Sequence, residues 1–246
     1  MLGKQPRELP QRIGFILLPR FSMIAFTAAV EPLRLANRVV GKALYAWPVF
    51  SLDGGPVVAS NGLSLNPEGD LEAASKLDTI VLCGGIDVQK IAEKPLGPWL
   101  RRMDRRGADL GAICTAPYIL ARHGLLDGYN CTIHWENLAA FVEDFPELEI
   151  SNELFEIDRN RFTCAGGTAS LDLMLNMITL QHGHDLAAGV ADQFMHDRIR
   201  DRHDHQRMSL PARLGVRHPK LLSVIDVMEN TLEEPLTRGA LARKAG

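Results

Sequence analysis

The sequence is short of the features that mark secreted, membrane-spanning and metal-binding proteins. Its opening residues, MLGKQPRELPQR, contain no apolar core of the kind that a secretory signal has. No uninterrupted apolar run approaches the roughly 20 residues that a transmembrane helix needs. The 4 cysteines lie far apart and form no CxxC pair, which argues against a zinc site and a disulfide framework. These absences predict a cytoplasmic protein with reduced thiols, no membrane contact, and neither a metal nor a cofactor.

Charge of one sign is also scarce, since 27 Lys and Arg face 30 Asp and Glu for a formal net charge of −3. The small imbalance is unevenly spread along the chain. From His196 onward ten basic side chains face seven acidic ones, so a mildly basic tail follows an acidic body. This distribution is a weak indication that the C-terminal end faces nucleic acid.

What the sequence does contain is an alternation of short apolar runs with amphipathic segments. Runs typical of buried strands are RIGFILL (12–18), YAWPVFSLDG (45–54), TIVLCGG (79–85), DLGAIC (109–114) and NCTIHW (130–135), and hairpins are predicted at 57–65 and 154–166. Helices are predicted over 22–40, 91–104, 115–124, 136–145, 168–181 and 184–200. The alternation predicts an α/β fold with a doubly wound, mostly parallel sheet, and ligands bind such sheets beyond the carboxyl ends of the strands.

The last stretch, HPKLLSVIDVMENTLEEPLTRGALARKAG (218–246), has a different character. Apolar residues at helical spacing up to Leu232 predict one helix, Pro235 breaks the chain, and Thr237 is the expected N-cap of a second helix that stops at Gly246. This pattern resembles the opening of the AraC-type helix-turn-helix domain, which reads DNA with its second helix. We therefore expect a sensing domain over 10–196, a linker over 197–216 and a truncated all-α DNA-binding domain over 217–246. Without the recognition helix the chain should not bind an operator specifically.

Cys114 is the residue with the clearest chemical context. It ends a predicted strand and begins a predicted helix, where amide donors and the positive helix terminus would lower the pKa of a thiol. His134 follows the next strand and would approach Cys114 in such a fold. Gly84 and Gly85 end a neighbouring strand and would offer backbone amides to an anion. The simpler interpretation is that Cys114 and His134 are core or structural residues.

The motifs GGI, AICTAP, TIHWEN and CAGGTASLDLMLNMI together resemble the DJ-1/PfpI superfamily of flavodoxin-like fold. With the C-terminal stretch, the chain is most similar to the branch of GlxA-like AraC-family regulators, in which that domain precedes a DNA reader. The resemblance covers residues 12–246. Enzymes of the superfamily carry an acidic residue near the start of the first helix, and Ala25 stands at that position here, with Glu31 further along. The resemblance therefore implies a ligand pocket at Cys114 that is not an active site.

Within that branch, FSMIAFTAAVEPLRLANR and CTIHWEN look like regulators of quaternary-amine catabolism, which respond to glycine betaine, dimethylglycine or carnitine. A carboxylate would then lie on the amides at Thr115 and near the glycine pair. A methylated ammonium would need aromatic faces and a balancing carboxylate. The aromatic candidates are Trp135, Phe21 and Phe26, and the acidic candidates are Glu31 and Glu136. Trp135 as a packing residue and Glu31 as a solvated helix residue are the alternatives.

Three functional classes follow from these patterns. The favoured one is the ligand-sensing part of a transcriptional regulator, a homodimer that binds a small-molecule effector and, with the missing C-terminal part, DNA. A thiol hydrolase or a glyoxalase-like enzyme of the DJ-1/PfpI type is the alternative. A dimerisation module without a ligand is the third.

Overall fold

The computed structural model describes residues 8–91, 94–216, 218–231 and 236–245, and it divides the chain into two compact units, 1–206 and 207–246. The first unit contains every strand of the described chain. In the second unit, the described residues form helices and no strand.

A central, mostly parallel sheet forms the middle of the first unit. In chain order the strands of the first unit are β1 (Gln11–Leu17), β2 (Tyr45–Ala46), β3 (Val49–Phe50), β4 (Val57–Val58), β5 (Ser64–Leu65), β6 (Thr79–Cys83), β7 (Asp109–Ile113), β8 (Asn130–Thr132), β9 (Glu149–Ser151), β10 (Phe155–Asp158) and β11 (Arg161–Cys164). The sheet has the order β10-β11-β7-β6-β1-β2, and β3 also pairs with β1. Only the edge strand β10 runs antiparallel. The antiparallel pair β4–β5 and the parallel pair β8–β9 lie outside this sheet.

Helices cover both faces of the sheet and complete two separate cores. Against one face lie α1 (Met23–Val40), α6 (Ala169–His182) and α7 (His184–Gln193). Against the other lie α2 (Leu71–Ala74), α3 (Leu96–Arg105), α4 (Pro117–Arg122) and α5 (Leu138–Asp144). The buried strands are apolar on both sides because each side meets a helical layer. The predicted doubly wound α/β fold is confirmed.

The register of the sheet brings four strand ends into one line. Leu17 pairs with Cys83, Cys83 with Ile113, and Ile113 with Cys164. The loops that follow these residues therefore leave the sheet side by side. This line positions the candidate site.

Several elements have different bounds from those that the sequence pattern predicts. The second strand is split into β2 and β3 around Pro48, which has no amide to donate to a ladder. The helix expected from residue 91 begins at Leu96, after a 3-10 turn at Val88–Lys90. The helix expected to reach residue 200 ends at Gln193, and Met195 follows with a φ of 54°.

The segment 196–206, which we call the strap, lies within the first compact unit. The sequence predicts a linker over 197–216, and residues 197–206 of that range belong to the first unit instead. Arg200 donates to Asp172 of α6, and Gln206 donates to Thr132 of β8. The first unit therefore continues ten residues beyond the boundary expected at 196.

The second unit contains α8 (Leu210–Leu214), α9 (Pro219–Asn230) and α10 (Arg238–Ala245). Thr237 accepts a hydrogen bond from the Ala240 amide at 3.3 Å, as its expected role of N-cap requires. Leu232, the break at Pro235 and the stop at Gly246 lie outside the described residues. In the described part of the chain, no helix is both long and apolar enough to cross a membrane.

Candidate functional site

Cys114 stands at a sharp turn between β7 and α4. Its φ is +62°, a left-handed conformation that a residue with a side chain adopts at a cost. Its amide donates to the Cys164 carbonyl at 2.9 Å, which extends the pairing of β7 with β11 by one residue. Such backbone strain persists only where the surroundings impose it, and it clusters at functional sites.

Three glycines let the neighbouring loops approach this turn. A Cβ atom on Gly84 would lie 2.4 Å from the Ala116 nitrogen, and one on Gly85 would lie 2.0 Å from the Arg20 carbonyl oxygen. A Cβ on Gly166 would lie 2.7 Å from the Cys114 Cα. All three distances are below van der Waals contact. These glycines therefore allow the loops around Cys114 to pack closely.

The thiol of Cys114 is buried and poorly ionised. Burial raises its pKa to about 11, and the charge of Glu136 acts in the same direction. Hydrogen bonds from the Thr115 amide and the Ser22 side chain lower the pKa but do not outweigh burial. The expectation that the helix terminus activates this thiol is wrong, because only 8% of Cys114 is exposed and α4 begins at Pro117.

His134 reaches Cys114 through its backbone. The His134 amide donates to the Cys114 carbonyl at 3.1 Å. The ring is turned toward the following residues, where its Nδ1 accepts the Glu136 amide at 3.4 Å. Burial lowers the pKa of His134 and the charge of Glu136 opposes this shift. Among the described residues no hydrogen bond joins the ring to the Cys114 thiol, so the two side chains do not form a nucleophile–base pair here.

The polar groups around the glycine pair are largely engaged. The Gly84 amide donates to the Ile113 carbonyl at 3.3 Å, so it is not the free anion donor that the sequence suggested. The Gly85 carbonyl accepts the Thr115 hydroxyl at 2.6 Å. Thr115 itself is buried, and its side chain ties the two loops together.

Phe21 and Phe26 are core residues and do not line an open pocket. Phe21 is fully buried and Phe26 is 7% exposed. Their rings meet edge to face at 5.8 Å, and Phe26 meets Phe15 in the same way. The expectation that these rings offer faces to a cation is therefore wrong. Trp135 differs, because 41% of it is exposed, while its ring lies 5.6 Å from that of His134.

The two acidic candidates separate clearly in the structure. Glu31 lies nine residues beyond Ser22 on α1, about 13 Å along the helix axis, and pairs with Arg34. It does not reach Cys114. Glu136 follows Trp135, and its charge acts on both Cys114 and His134. The candidate site is therefore limited to Cys114, Thr115, His134, Trp135 and Glu136, with Gly84 and Gly85 as packing residues.

Sequence reasoning missed Ser22 and Gly166. Ser22 is the N-cap of α1, where its side chain accepts the Ala25 amide at 3.4 Å, and the same side chain bonds the Cys114 thiol. Its position before a helical pattern is a recognisable capping signal. Gly166 lies in the CAGGT motif, but nothing in the motif indicates that it packs on Cys114.

Two further observations concern other places where a metal ion or a ligand could bind. The described residues hold no group of three or more His, Cys, Asp or Glu side chains arranged for a metal ion, and all four cysteines are buried and free. A shallow cavity of about 280 Å³ lies beside Arg12 and Trp47, at the amino-terminal end of β1. Ligand sites of this fold lie at the opposite ends of the strands, so Cys114 remains the candidate site.

Comparisons with known proteins place this geometry in context. The model of the DJ-1/PfpI family matches residues 11–180. The chain is 46% identical over 233 residues to the HTH-type transcriptional regulator GbdR of Pseudomonas aeruginosa, covering 95% of this chain and 64% of that protein. It is 49% identical over 236 residues to the HTH-type transcriptional regulator CdhR of the same species, covering 96% of this chain and 70% of that protein. A crystal structure of an AraC family transcriptional regulator from Pseudomonas putida superposes with a TM-score of 0.68 at 34% identity, covering 75% of this chain and all of that one.

Proposed function

The chain belongs to the DJ-1/PfpI family and is related to its HTH-type transcriptional regulators, and from this premise we propose that residues 8–206 sense a small metabolite for a DNA-binding regulator. The chain spans 64% of the length of GbdR. What a whole regulator containing this chain would do is therefore part of the proposal. A regulator of this kind acts in the cytoplasm.

The observation that carries the proposal is the buried thiol of Cys114 in a strained turn. Burial raises the pKa of Cys114 to about 11, and Ser22 and Ala25 occupy the region where an enzyme of the family would hold its acid. A nucleophilic thiol needs a lowered pKa or a paired base. The geometry of the turn is thus kept while its activating groups are absent, which suits a cleft that binds without catalysing a reaction.

The proposed effector is a small zwitterion with a methylated ammonium, such as glycine betaine, dimethylglycine or carnitine. Trp135 offers an exposed aromatic surface, and Glu136 beside it supplies a negative charge for the ammonium. The Ser22 hydroxyl and the Thr115 amide, which now bond the thiol, are the donors nearest Cys114 for the carboxylate. Phe21, Phe26 and Glu31 have no part in this arrangement.

In the whole regulator, the effector would act on the placement of two DNA readers. AraC-type readers commonly bind paired half-sites as dimers, so a homodimer is part of the proposal. The effector would shift the population between two placements only if its affinity differs between them. DNA is then a partner of the longer protein.

A cysteine enzyme of the DJ-1/PfpI type is the alternative, and the φ of +62° at Cys114 is the observation that favours it. Active-site nucleophiles of α/β folds occupy such strained turns. Turnover of an acyl or aldehyde substrate that disappears in Cys114→Ala would establish this alternative.

Calorimetric titration tests the proposal. The chain is titrated with glycine betaine, dimethylglycine, carnitine and choline, and the titrations are repeated on Trp135→Ala. Trp47→Ala is the matched control, because Trp47 lines the cavity at the other end of β1. We expect saturable binding of one zwitterion, weakened at least tenfold by Trp135→Ala and unchanged by Trp47→Ala. No heat with any compound would contradict the proposed effector class.

A further inference from the structure

The strap, residues 196–206, makes specific contacts with the same loops that hold Cys114. Its sequence is charged and looks like a solvated linker, yet Ile199 packs against the core on the α1 and α6 face. The strap ends at Gln206, and the second unit, 207–246, which we call the helical unit, begins at the next residue. A sensing domain would need this kind of connection to its output domain.

The first anchor of the strap is Asp172, a fully buried carboxylate on α6. Its Oδ1 accepts the Arg200 amide at 2.8 Å, and its Oδ2 accepts the Arg200 Nε at 2.9 Å and Nη2 at 2.6 Å. His196 Nε2 lies 3.2 Å from the same Oδ1. A buried carboxylate requires such partners, because an unpaired charge in the interior is strongly unfavourable.

The second anchor is Gln206 at the end of the strap. Its Nε2 lies within hydrogen-bond distance of the Thr132 hydroxyl at 3.1 Å, the Ile133 carbonyl at 3.1 Å and the Glu153 carbonyl at 2.8 Å. Its Oε1 is buried, and within the described chain it has no hydrogen-bond partner. The two N–H groups of this amide are directed at three acceptors, which fixes the strap against the end of β8.

Two short hydrogen-bonded paths lead from the strap to the turn at Cys114. Gln206 bonds the Ile133 carbonyl, and the next residue, His134, donates its amide to the Cys114 carbonyl at 3.1 Å. In the middle of the strap, the Arg202 carbonyl accepts the Leu154 amide at 2.8 Å.

The second path continues from Leu154. The Leu154 carbonyl accepts the Ala165 amide at 2.9 Å, and Gly166 after it packs on Cys114. Thr168, which accepts a hydrogen bond from Arg200 at 2.8 Å, follows in the same loop. The strap thus reaches the turn through Ile133 and His134 on one side and through Leu154, Ala165 and Gly166 on the other.

We propose that Asp172 and Gln206 are positioning residues that couple the Cys114 cleft to the helical unit by holding the strap on the two loops that flank the cleft. The inference rests on the proposed sensing function. An effector that moves the His134 loop or the Gly166 loop changes the hydrogen bonds that fix the strap. The strap is joined directly to the helical unit, which begins at residue 207. By linkage, the factor by which effector binding changes the equilibrium between the held and the released strap is also the factor by which release of the strap changes the affinity for the effector.

The first test needs no ligand. Amide hydrogen exchange is followed in the chain and in Asp172→Asn and Gln206→Ala; Gln206→Ala is the milder change if Asp172→Asn does not fold. Arg198→Gln is the matched control, since it breaks an exposed ion pair with Asp204 inside the strap. Ile80→Val trims a buried side chain on the opposite face and controls for a general loss of stability.

We expect the Ala165 and His134 amides to exchange at least fivefold faster in both anchor variants and at the parent rate in both controls. Faster exchange of the Arg200 amide alone, with the Ala165 and His134 amides unchanged, would overturn the proposal. If the anchors only hold the strap in place, the Arg200 amide alone exchanges faster.

The second test uses glycine betaine, dimethylglycine and carnitine as probes in calorimetry. The anchor variants should change the Kd of the compound that binds by fivefold or more, and Arg198→Gln should not. An unchanged Kd would also overturn the coupling. If the parent chain binds none of the compounds, the proposed effector class fails, and the exchange measurement still decides whether the strap and the cleft are coupled.

Discussion

At the scale of single residues, the chemistry of the site is set by burial more than by position. Cys114 occupies the turn in which an enzyme would place a nucleophile, yet the residue is 8% exposed and burial raises the pKa of its thiol to about 11. The hydrogen bonds from Ser22 and Thr115 act against this shift without reversing it. The thiol is therefore protonated at neutral pH, which agrees with the proposed role in binding.

Alkylation of Cys114 should reflect the raised pKa. Only the thiolate reacts, so the rate with iodoacetamide should be low at pH 7 and rise with pH toward a midpoint near 11. Mass spectrometry of the peptide that carries Cys114 measures the rate, with N-acetylcysteine as the reference thiol. A midpoint at or below that of the reference would show an activated cysteine and would support the enzyme alternative.

His134 gives a prediction on stability at mildly acidic pH. Burial lowers its pKa below the ordinary value of about 6.5, so the folded state disfavours the imidazolium. Stability is therefore unaffected above that value and is lost as the pH falls below it. In urea unfolding at pH 7.5 and 5.5, His134→Gln should lose less stability on acidification than the parent chain.

The control for this experiment is His184→Gln, which alters an exposed histidine at the start of α7. It should lose as much stability as the parent chain between the two pH values. An equal loss in His134→Gln would show that His134 does not contribute to the acid sensitivity.

At the scale of elements, the site is produced by the register of the sheet. The alignment of Leu17, Cys83, Ile113 and Cys164 makes four loops emerge together, and glycines let them touch. Gly166 is the clearest case, because its φ of +86° and its contact with Cys114 both exclude a side chain.

Replacing Gly166 should therefore cost more than its backbone conformation alone. Gly107 has a similar φ of +79° but open space around it, so Gly107→Ala measures the conformational cost, about 1 kcal/mol. Gly166→Ala should lose at least about 1 kcal/mol more, because the backbone of Cys114 must also shift. Urea unfolding of both variants tests this, and equal losses would show that the loop at 166 adapts freely.

The sequence allowed the order of elements and the turn at Cys114 to be predicted, because apolar runs and their spacing are local signals. The positions of Phe21 and Phe26 were not predictable in this way, since an aromatic residue beside a site and one beneath it have the same local pattern. Ser22 was recognisable as a cap but not as a partner of a thiol 92 residues away. Contacts of this kind depend on tertiary packing.

At the scale of the whole molecule, the boundary between the two units lies after Gln206. A charged composition indicated a linker from residue 197, because solvated and ion-paired charges look alike in a sequence. The pairing of Asp172 with Arg200, 28 residues apart, converts that charged segment into part of the first unit. The proposed coupling between the candidate site and the second unit depends on this pairing.

Truncation tests where the first unit ends. A chain ending at Gln206 should keep the stability of the first unit, because every strap contact is retained. A chain ending at Met195 should lose about 3 kcal/mol or more, since the buried Asp172 carboxylate is left without Arg200 and His196. Thermal unfolding followed by circular dichroism measures both. Equal stability of the two truncated chains would contradict the assignment of the strap to the first unit.

The most direct test of the central claim, that the cleft at Cys114 binds the effector without reacting with it, is protection of Cys114 from alkylation. The rate with iodoacetamide is measured at pH 9.5 over a series of glycine betaine, dimethylglycine and carnitine concentrations. We predict that one compound slows the modification of Cys114 in a saturable way, with the Kd found by calorimetry at the same pH, and that this compound is recovered unchanged. Saturating ligand that leaves the rate unaltered would place the binding site elsewhere, and consumption of the ligand would show an enzyme.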